Sequence, residues 1–240
     1  MPNYSQDNLI YASKNEPHFF PFTSDQTGIL AAFIREKWKR AEQECEVNLR
    51  FVRDAMEVAA VDRGNMALYG AYDPSLSFAV SHYGFIASAQ DIDVATFGVA
   101  IYELGDRDLA EYLEEVGLYD GADPVILKGD AKLLATGCRG TAAFGGNAWV
   151  HREYRQSGLM VTMAEISRAI SLAMFNCDHT FMFMRASLAE RGFRSNAQEF
   201  RPGAWWGGEE RWLGYTGKRS IIMTSLDMSR HDAQYPASTH

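Results

Sequence analysis

Apolar residues recur at steps of three or four in two stretches of the chain, which is the spacing of one helical face. The first stretch runs from residue 27 to about residue 61 and predicts a long helix or a broken pair of helices. Its apolar stripe consists of Leu30, Ile34, Trp38, Ala41, Cys45, Leu49, Val52 and Met56. The second stretch begins at Leu159 and predicts one helix. Its stripe consists of Leu159, Met163, Ile166, Ile170 and Met174.

Short runs rich in Val, Ile, Phe and Tyr, bounded by turn residues, predict strands between and beyond these helices. The predicted strands cover residues 66–72, 76–80, 83–89, 93–104, 141–150 and 181–184, and a final pair covers 211–215 and 220–228. A turn at 216–219 would join the last two. Helices alternating with strands in this way are typical of an α/β domain.

One domain with an arm and a tail accounts for the length of 240 residues. We assign residues 1–26 to an N-terminal arm, 27–228 to the domain and 229–240 to a polar tail. The segment 105–140 contains a helical pattern in which Leu109, Tyr112, Leu113 and Val116 form an apolar face.

The segment around that helix is strongly acidic. Eight carboxylates stand against one basic residue, Arg107, between residues 103 and 123: Glu103, Asp106, Asp108, Glu111, Glu114, Glu115, Asp120 and Asp123. One interpretation is a solvated helix that covers a sheet edge. The other is a lid that attracts a cationic substrate.

Composition excludes several functional classes. A net charge of −8 argues against a nucleic-acid binder, which needs a basic surface. The chain contains no run of 18 apolar residues and no N-terminal signal pattern, so we expect neither a membrane span nor export. The three cysteines lack CxxC spacing and the histidines are scattered, which indicates a cytoplasmic protein without a metal site. An amine acceptor, either a small molecule or a peptide, suits the acidic charge, and the sequence leaves a homodimer open.

The most informative stretch is a strand, a basic turn and a helix in direct succession. The strand 141–150 ends at Trp149 and Val150, the turn contains Gly158, and the helix begins at Leu159. Backbone N–H groups at a helix N-terminus lack intrahelical partners and carry the positive end of the helix dipole, so they bind phosphate oxygens. Gly158 allows a ligand to approach that backbone closely. The pattern therefore predicts a cofactor that carries phosphate.

These residues resemble the GCN5-related N-acetyltransferase (GNAT) superfamily. The family signature is Arg/Gln-x-x-Gly-x-Gly/Ala after a strand that ends in Val-x-Pro-x-x-Arg, and this chain has Val150-His151-Arg152-Glu153-Tyr154-Arg155-Gln156-Ser157-Gly158-Leu159-Met160. The strand-like residues 181–184 and the run 188–193, which closes on Gly192-Phe193, follow in the family's order. Two departures are that Met160 replaces a small residue and that 185–192 contains no tyrosine, which many relatives use as the catalytic acid.

The resemblance implies a mixed, bent central sheet with helices on both faces, and an enzyme that transfers an acyl group from acetyl-CoA or another acyl-CoA to an amine. It implies that backbone N–H groups of the turn hold the pyrophosphate, those of Gln156, Ser157, Gly158, Leu159, Met160 and Val161. Arg152 or Arg155 would add charge-assisted contacts. Trp149 and Val150 would pair with the pantetheine, and the Val150 N–H would face the thioester carbonyl as oxyanion donor. The same resemblance makes 105–140 an insertion, because relatives join the corresponding strands by a short hairpin.

The sequence does not identify as clearly the groups that would accept the amine proton and protonate the CoA thiolate. Candidate bases are Glu103, Asp93 and Glu153, of which we name Glu103 as the catalytic base. Tyr83, Tyr102 and Tyr215 could replace the missing tyrosine as the acid that protonates the CoA thiolate. Nothing in the sequence selects one of them.

Two alternatives remain open at this stage. One is an N-acyltransferase fed by an acyl carrier protein, for which a basic docking patch would be needed. The arginines available for it are Arg152, Arg155, Arg185, Arg191 and Arg194. The other is a catalytically silent domain of the same fold that binds acyl-CoA or a protein partner.

Overall fold

The computed structural model describes residues 25–62, 64, 70–190 and 199–223, and within them the chain forms eight strands and six helices, followed by the helical residues 218–223. The strands are β1 (Asn48–Val52), β2 (Ser81–Ala89), β3 (Ile92–Glu103), β4 (Ile126–Leu127), β5 (Thr141–Val150), β6 (His179–Arg185), β7 (Glu199–Trp206) and β8 (Glu209–Gly217). The helices are α1 (Asp25–Cys45), α2 (Ala55–Ala60), α3 (Leu109–Glu115), α4 (Gly129–Ala135), α5 (Leu159–Phe175) and α6 (Ala186–Glu190). The predicted tail and all but the last two residues of the predicted arm lie outside the described residues.

All eight strands belong to one mixed sheet, in the order β1-β2-β3-β5-β6-β8-β7-β4. Every neighbouring pair is antiparallel except β5 and β6, which run parallel and are connected by α5. A parallel pair needs such a crossover, whereas antiparallel neighbours can be joined by short turns, as β2–β3 and β7–β8 are. The predicted mixed sheet with helices on both faces is confirmed.

Helices α1 and α5 cover what we call the first face of the sheet. Alternate side chains of the central strands point to it, because neighbouring residues of a strand point to opposite faces. The residues include Tyr83, Phe85, Val99, Ile101 and Ala143, and they form one buried cluster with both helices. Helix α6 packs on the same side, where Ala189 touches this cluster.

Helices α3 and α4 cover the opposite, second face. Here the alternate side chains Tyr102, Phe144, Phe181 and Leu213 form a separate buried cluster with both helices. Helix α2 lies farther along this face, where Val58 packs with Ile86. The two faces therefore have distinct cores, and each central strand contributes to both.

The first predicted helix is shorter than its apolar stripe. Helix α1 ends at Cys45, and Glu46 adopts a left-handed conformation with φ +53°. The chain continues as β1, in which Leu49 and Val52 are buried. Their spacing from Cys45 matches a helix by coincidence, so the helical prediction for this part is wrong.

Three further strand predictions differ from the structure. Residues 76–80 form only a single bridge, Ser77 with Tyr119. The predicted turn at 216–219 and strand at 220–228 are wrong where they are described: β8 continues to Gly217 and pairs with β7, and 218–223 is helical with Ile221 buried in the first-face cluster. Residues 224–228 lie outside the described residues. The sequence conceals β7 because Pro202 and Gly203 interrupt it, and they are accommodated by a register shift at the outer part of the sheet. Of 66–72, residues 70–72 form a 3₁₀ turn and 65–69 lie outside the described residues.

The remaining elements agree with their predictions. Strands β2, β3, β5 and β6 and helix α5 lie where the pattern places them. Helix α3 buries the predicted Leu109, Tyr112 and Leu113.

Several carboxylates of the acidic segment make structural contacts within the fold. Asp108 and Glu111 form a capping box at the start of α3. Glu114 pairs with Lys132 at 2.9 Å and accepts the N–H of Leu127, and Glu115 pairs with Arg107 at 3.1 Å. These contacts favour the interpretation of a helix that covers the sheet.

Candidate functional site

The parallel strands β5 and β6 diverge after a very short common ladder. Only three residue pairs join them: Ala142 with His179, Ala143 with Thr180 and Phe144 with Phe181. Strand β5 then follows β3, and β6 follows β8. Within the described part of the chain, residues 145–150 of β5 and 182–185 of β6 have no pairing with each other. We call the wedge between these two segments the strand cleft.

A β-bulge lies in β5 next to the strand cleft. The β3–β5 register shifts between Thr96 and Gly98, opposite Asn147, whose φ is +50°. The Thr96 hydroxyl donates to the Asn147 carbonyl at 3.2 Å. Bulges bend a strand and re-aim the groups beyond them. The bulge therefore sets the direction of the last residues of β5.

Beyond the bulge, the backbone of Val150 points into the strand cleft. The His151 N–H donates to Val94 of β3 at 2.7 Å. Because successive residues of an antiparallel strand point their N–H groups to opposite sides, the Val150 N–H points away from β3. Ala148 has the same orientation by this alternation. Sequence reasoning missed Ala148, although the run Gly145-Gly146-Asn147 within a strand is a signal for a bulge.

The turn of residues 155–160 joins β5 to α5 in an unusual backbone conformation. Gln156 and Gly158 are both left-handed, with φ +73° and +82°. Between them, the Ser157 hydroxyl donates to the Tyr154 carbonyl at 2.8 Å and accepts the Leu159 N–H at 3.3 Å. Alternating left-handed and right-handed residues make concave arrays of N–H groups that bind anions.

Several N–H groups of this turn are available to a ligand. Those of Gln156, Gly158, Met160 and Val161 make no hydrogen bond within the described residues. A Cβ built on Gly158 would meet nothing within 4 Å, so open space lies in front of that backbone. With the exposed side chains of Arg152 and Arg155 nearby, and the positive end of the α5 dipole, the turn is suited to bind phosphate.

Met160 does not obstruct this arrangement. Its side chain is partly buried and packs against the first-face cluster. The residue that departs from the family signature therefore contributes to the core of the sheet.

Helix α1 packs against the turn of residues 155–160 and helps to fix its position. The Cys45 thiol lies 3.6 Å from the Ser157 carbonyl, and Lys37 forms a buried ion pair with Glu165 of α5 at 2.6 Å. The two helices run antiparallel, because residues near the end of α1 contact the start of α5. The position of the turn is thus fixed by packing between the two helices.

The apex of the strand cleft is closed on the first face by α5. A void of about 10 Å³ remains there, bordered by Gly145 and Met182 of the diverging strands and by Ala164 and Arg168 of α5. This is about the space of one water molecule. Burial lowers the pKa of Arg168 to about 10, and the nearby Glu165 carboxylate acts in the opposite direction.

Glu103 is not brought to the strand cleft. It pairs with Thr141 at the beginning of β5, whereas Val150 pairs with Ala95 at the far end. Nine residues of strand separate the two positions, roughly 30 Å. Direct proton transfer between Glu103 and a group at Val150 is excluded by this distance, so the geometry separates these two predicted catalytic residues.

The other two candidate bases lie at the correct end of the sheet. Asp93 is near the start of β3 and accepts the Ser88 hydroxyl at 2.6 Å. Glu153 is exposed in the 3₁₀ turn Arg152–Tyr154.

The three candidate tyrosine acids have structural partners. The Tyr83 hydroxyl is buried against Ser167 and Ser171 of α5, and the Tyr102 hydroxyl donates to the Leu118 carbonyl. Tyr215 hydrogen bonds His179 at the start of β6, at 2.6 Å. Burial raises the pKa of all three hydroxyls. Within the described chain, none of them contacts the open end of the strand cleft.

The predicted basic docking patch is only partly described. Arg152 and Arg155 lie at the turn, Arg185 ends the other arm of the strand cleft, and Arg191 and Arg194 lie outside the described residues. In the parts of the chain that the structure covers, no group of three or more His, Cys, Asp or Glu could hold a metal ion. No helix among these residues is both long and apolar enough to span a membrane.

The chain matches no protein-family model and no curated protein sequence. Among solved structures it is similar to NAA60 of Arabidopsis thaliana in complex with acetyl-CoA, with 11% identity, a TM-score of 0.43 and coverage of 71% of this chain and 99% of that one. A spermidine N-acetyltransferase variant, SpeG of Vibrio cholerae, has 11% identity, a TM-score of 0.42 and coverage of 76% and 98%. The GNAT family N-acetyltransferase YhbS of Escherichia coli, in complex with CoA, has 12% identity, a TM-score of 0.41 and coverage of 73% and 84%.

Proposed function

We propose that this protein is an acyl-CoA-dependent N-acyltransferase that transfers an acetyl group to an amine by direct attack. One observation carries the proposal: strand β5 turns the N–H groups of Ala148 and Val150 toward the strand cleft and ends in a turn with four available N–H groups. A cofactor with a pyrophosphate at one end and an amide-containing arm at the other needs both features on one strand.

The residues for holding CoA follow from this arrangement. The N–H groups of Gln156, Gly158, Met160 and Val161 bind the pyrophosphate, with Arg152 or Arg155 as charged partners. The backbone of β5 along the strand cleft, including Trp149 and Val150, accompanies the pantetheine arm.

The bound cofactor supplies an activated thioester. The N–H of Val150, with that of Ala148 beside it, donates to the carbonyl oxygen as negative charge develops there, which is the interaction that lowers acyl-transfer barriers most. A carbon–nitrogen bond forms, the carbon–sulfur bond breaks, and the amine proton passes to the sulfur of the leaving CoA. Asp93 and Glu153 remain candidate bases because they lie at this end of the sheet. We leave the acid unassigned.

A short acyl group suits the strand cleft better than a long one. Helix α5 closes its apex and leaves a void of only about 10 Å³. A long chain directed toward the apex would meet Ala164 and Arg168. This supports acetyl-CoA as donor.

We also propose that the protein is located in the cytoplasm. Cys45, Cys138 and Cys177 are free thiols and are buried, which suits a reducing compartment.

The test combines calorimetry with CoA and acetyl-CoA and a thiol assay of CoA release across a panel of amines. We expect binding in the micromolar range, and at one hundred times the dissociation constant a ligand adds about 2.7 kcal/mol of stability. An absence of heat and an unchanged melting temperature with saturating CoA would refute the proposal. Binding without release of CoA would identify a catalytically silent domain, to which the absence of tyrosine in the described helix α6 gives some weight. Release only with acyl carrier protein as donor would identify the carrier-dependent alternative.

A further inference from the structure

Two arginines face each other directly across neighbouring strands at the open end of the strand cleft. Arg185, the last residue of β6, pairs with Arg211 of β8. Directly opposed residues have their Cβ atoms about 5 Å apart, and like charges in this position are destabilising. Glu209 offsets part of this repulsion by pairing with Arg211, and an anion bound between the two side chains would offset the rest.

Both side chains point to the second face of the sheet. Met182 and Met184 belong to the first-face cluster, so Arg185 points the other way by strand alternation. Arg211 lies over the Trp206 ring at 5.7 Å, and Trp206 belongs to the second-face cluster. The pair is thus on the opposite side of the sheet from α5 and the turn that would hold the cofactor phosphates.

The two arginines differ in how they are held. Arg211 is largely buried, with 12% of its side chain exposed, and it donates to Glu209 at 3.1 Å and to the Trp206 carbonyl at 3.5 Å. Arg185 is exposed and forms no hydrogen bond or ion pair with any residue that the structure describes. The Arg211 guanidinium is therefore held by Glu209 and Trp206, whereas the exposed Arg185 side chain can turn toward a ligand.

This pair lies across the strand cleft from the proposed reaction site. Strands β5 and β6 run parallel, so Arg185, the last residue of β6, lies at the same open end of the strand cleft as Val150, the last residue of β5. Trp149 of β5 and Phe183 of β6 point to the second face and are partly exposed, so an acceptor can approach the thioester from this face. The acceptor therefore passes the two arginines.

Aromatic side chains flank the same opening. Trp149 of β5 and Phe183 of β6 are both partly exposed, and both point to the second face, where they pack against its clusters. Phe183 also contacts the Trp206 ring at 5.3 Å. An acceptor located here meets aromatic surface on either side and two cations at one end.

We propose, on the basis of the acyltransferase function above, that the acceptor is an apolar or aromatic α-amino acid. Its carboxylate binds Arg185 and Arg211, its side chain lies between Trp149 and Phe183, and its amine faces the thioester. Arginine suits this role because its planar fork binds a carboxylate in a bidentate manner.

The first measurement compares acceptors with acetyl-CoA as donor: L-phenylalanine, phenethylamine, which lacks only the carboxylate, and L-alanine, which lacks only the ring. We expect kcat/KM for phenylalanine to exceed that of each of the other two at least tenfold. Release of CoA with equal kcat/KM for phenylalanine and phenethylamine would overturn the acceptor assignment while leaving the acyltransferase function intact.

The second measurement does not depend on turnover. N-acetyl-L-phenylalanine should bind the protein in the presence of CoA, and Arg185→Gln and Arg211→Gln should each weaken that binding at least tenfold. Arg201→Gln is the matched control, because Arg201 is an exposed arginine of β7 that pairs with Glu199. CoA binding should be unchanged in all three variants. Equal binding of N-acetylphenylalanine to wild type and Arg185→Gln, or no binding at all, would refute the proposal. A loss of CoA binding in Arg185→Gln would assign the arginine to the cofactor instead.

Discussion

The ammonium group of Lys37 in α1 lies 2.6 Å from the carboxylate of Glu165 in α5, and both side chains are more than nine-tenths buried. The pair joins the two helices of the first face, and α5 begins at the turn of residues 155–160. Arg168, one helical turn farther along α5, is buried beside it. The position of the turn therefore depends on charges inside the protein.

Breaking this ion pair should destabilise the protein strongly. We expect Lys37→Met to cost about 3 to 5 kcal/mol of unfolding free energy, because one buried charge loses its partner. Glu165→Gln should cost more than Lys37→Met, because it leaves the Lys37 and Arg168 cations buried together. Denaturant unfolding gives these values, and Lys37→Met combined with Glu165→Leu should recover part of the loss.

The surface pair Arg40 with Glu44, on the same helix α1, is the control for this series. Arg40→Gln should change the unfolding free energy by less than about 1 kcal/mol. Similar losses for Arg40→Gln and Lys37→Met would contradict the assignment of a buried, structurally essential pair.

Substitutions in the turn should separate steric effects from packing effects. Gly158→Val places a side chain in the open space before the backbone, so acetyl-CoA binding measured by calorimetry should weaken at least ~1.4 kcal/mol, a factor of ten. Met160→Ala should leave binding unchanged or improve it, while lowering stability because Met160 packs in the first-face cluster.

Gly158 also has a positive φ, which a valine adopts with strain. Gly207→Val is the matched control, because Gly207 in the β7–β8 turn has φ +60° and equally open space around a built Cβ. Both variants should lose stability, but only Gly158→Val should lose acetyl-CoA binding. Full binding by a folded Gly158→Val protein would show that the turn is structural.

Charge reversal in the acidic segment should affect folding and leave catalysis unchanged. Glu111, Glu114 and Glu115 cap α3 or pair with neighbouring cations, so their replacement by lysine should lower the melting temperature. The acceptor KM at low ionic strength should stay constant. A rise of the acceptor KM at low ionic strength, with unchanged stability, would instead support the lid interpretation. Low salt is needed for this measurement because 0.1 M salt screens charges that lie more than about 10 Å apart.

The charge of Asp108 should make the unfolding free energy vary with pH in the acidic range. Burial acts to raise the pKa of Asp108, but hydrogen bonds from the Glu111 and Gly137 backbone outweigh it, and the pKa is lowered. The folded state therefore favours the charged form, and its contribution is present above the ordinary carboxyl pKa of about 3.9 and is lost as pH falls through the lower folded value. Asp108→Asn keeps a good N-cap but removes the charge.

The measurement for Asp108 is the difference in unfolding free energy between wild type and Asp108→Asn across pH. We expect that difference to be constant near neutral pH and to shrink below pH 4. A difference that does not change with pH would mean that the charge of Asp108 has no part in stabilising α3.

The local features of the site could be predicted from the sequence because their signals lie close together in the chain. The order of β5, the turn with Gly158 and α5 is encoded within about thirty residues. The same applies to α3, whose apolar face has regular spacing. Where spacing fits two structures, as for Leu49 and Val52, the local signal selected the wrong one, since only pairing with β2 identifies them as strand residues.

The strand cleft and its acceptor side depend on contacts between distant segments. Nothing near Phe144 indicates that its ladder with β6 ends after three pairs. The separation of Glu103 from Val150 follows from the antiparallel register of β3 and β5, and the opposition of Arg185 and Arg211 follows from the register of β6 and β8. Register is a tertiary property, which propensity and spacing in one sequence do not specify.

Because only three residue pairs join β5 to β6, the sheet consists of two half-sheets. We call the short ladder that connects them the seam. Phe144 and Phe181 pack at this seam with ring centroids 5.1 Å apart, and Phe144 also stacks on Tyr72 at 5.6 Å. A change in ring size at the seam alters the angle between the half-sheets, and with it the width of the cleft several residues away. Selectivity for acceptors can therefore evolve through buried aromatic residues that never touch a substrate.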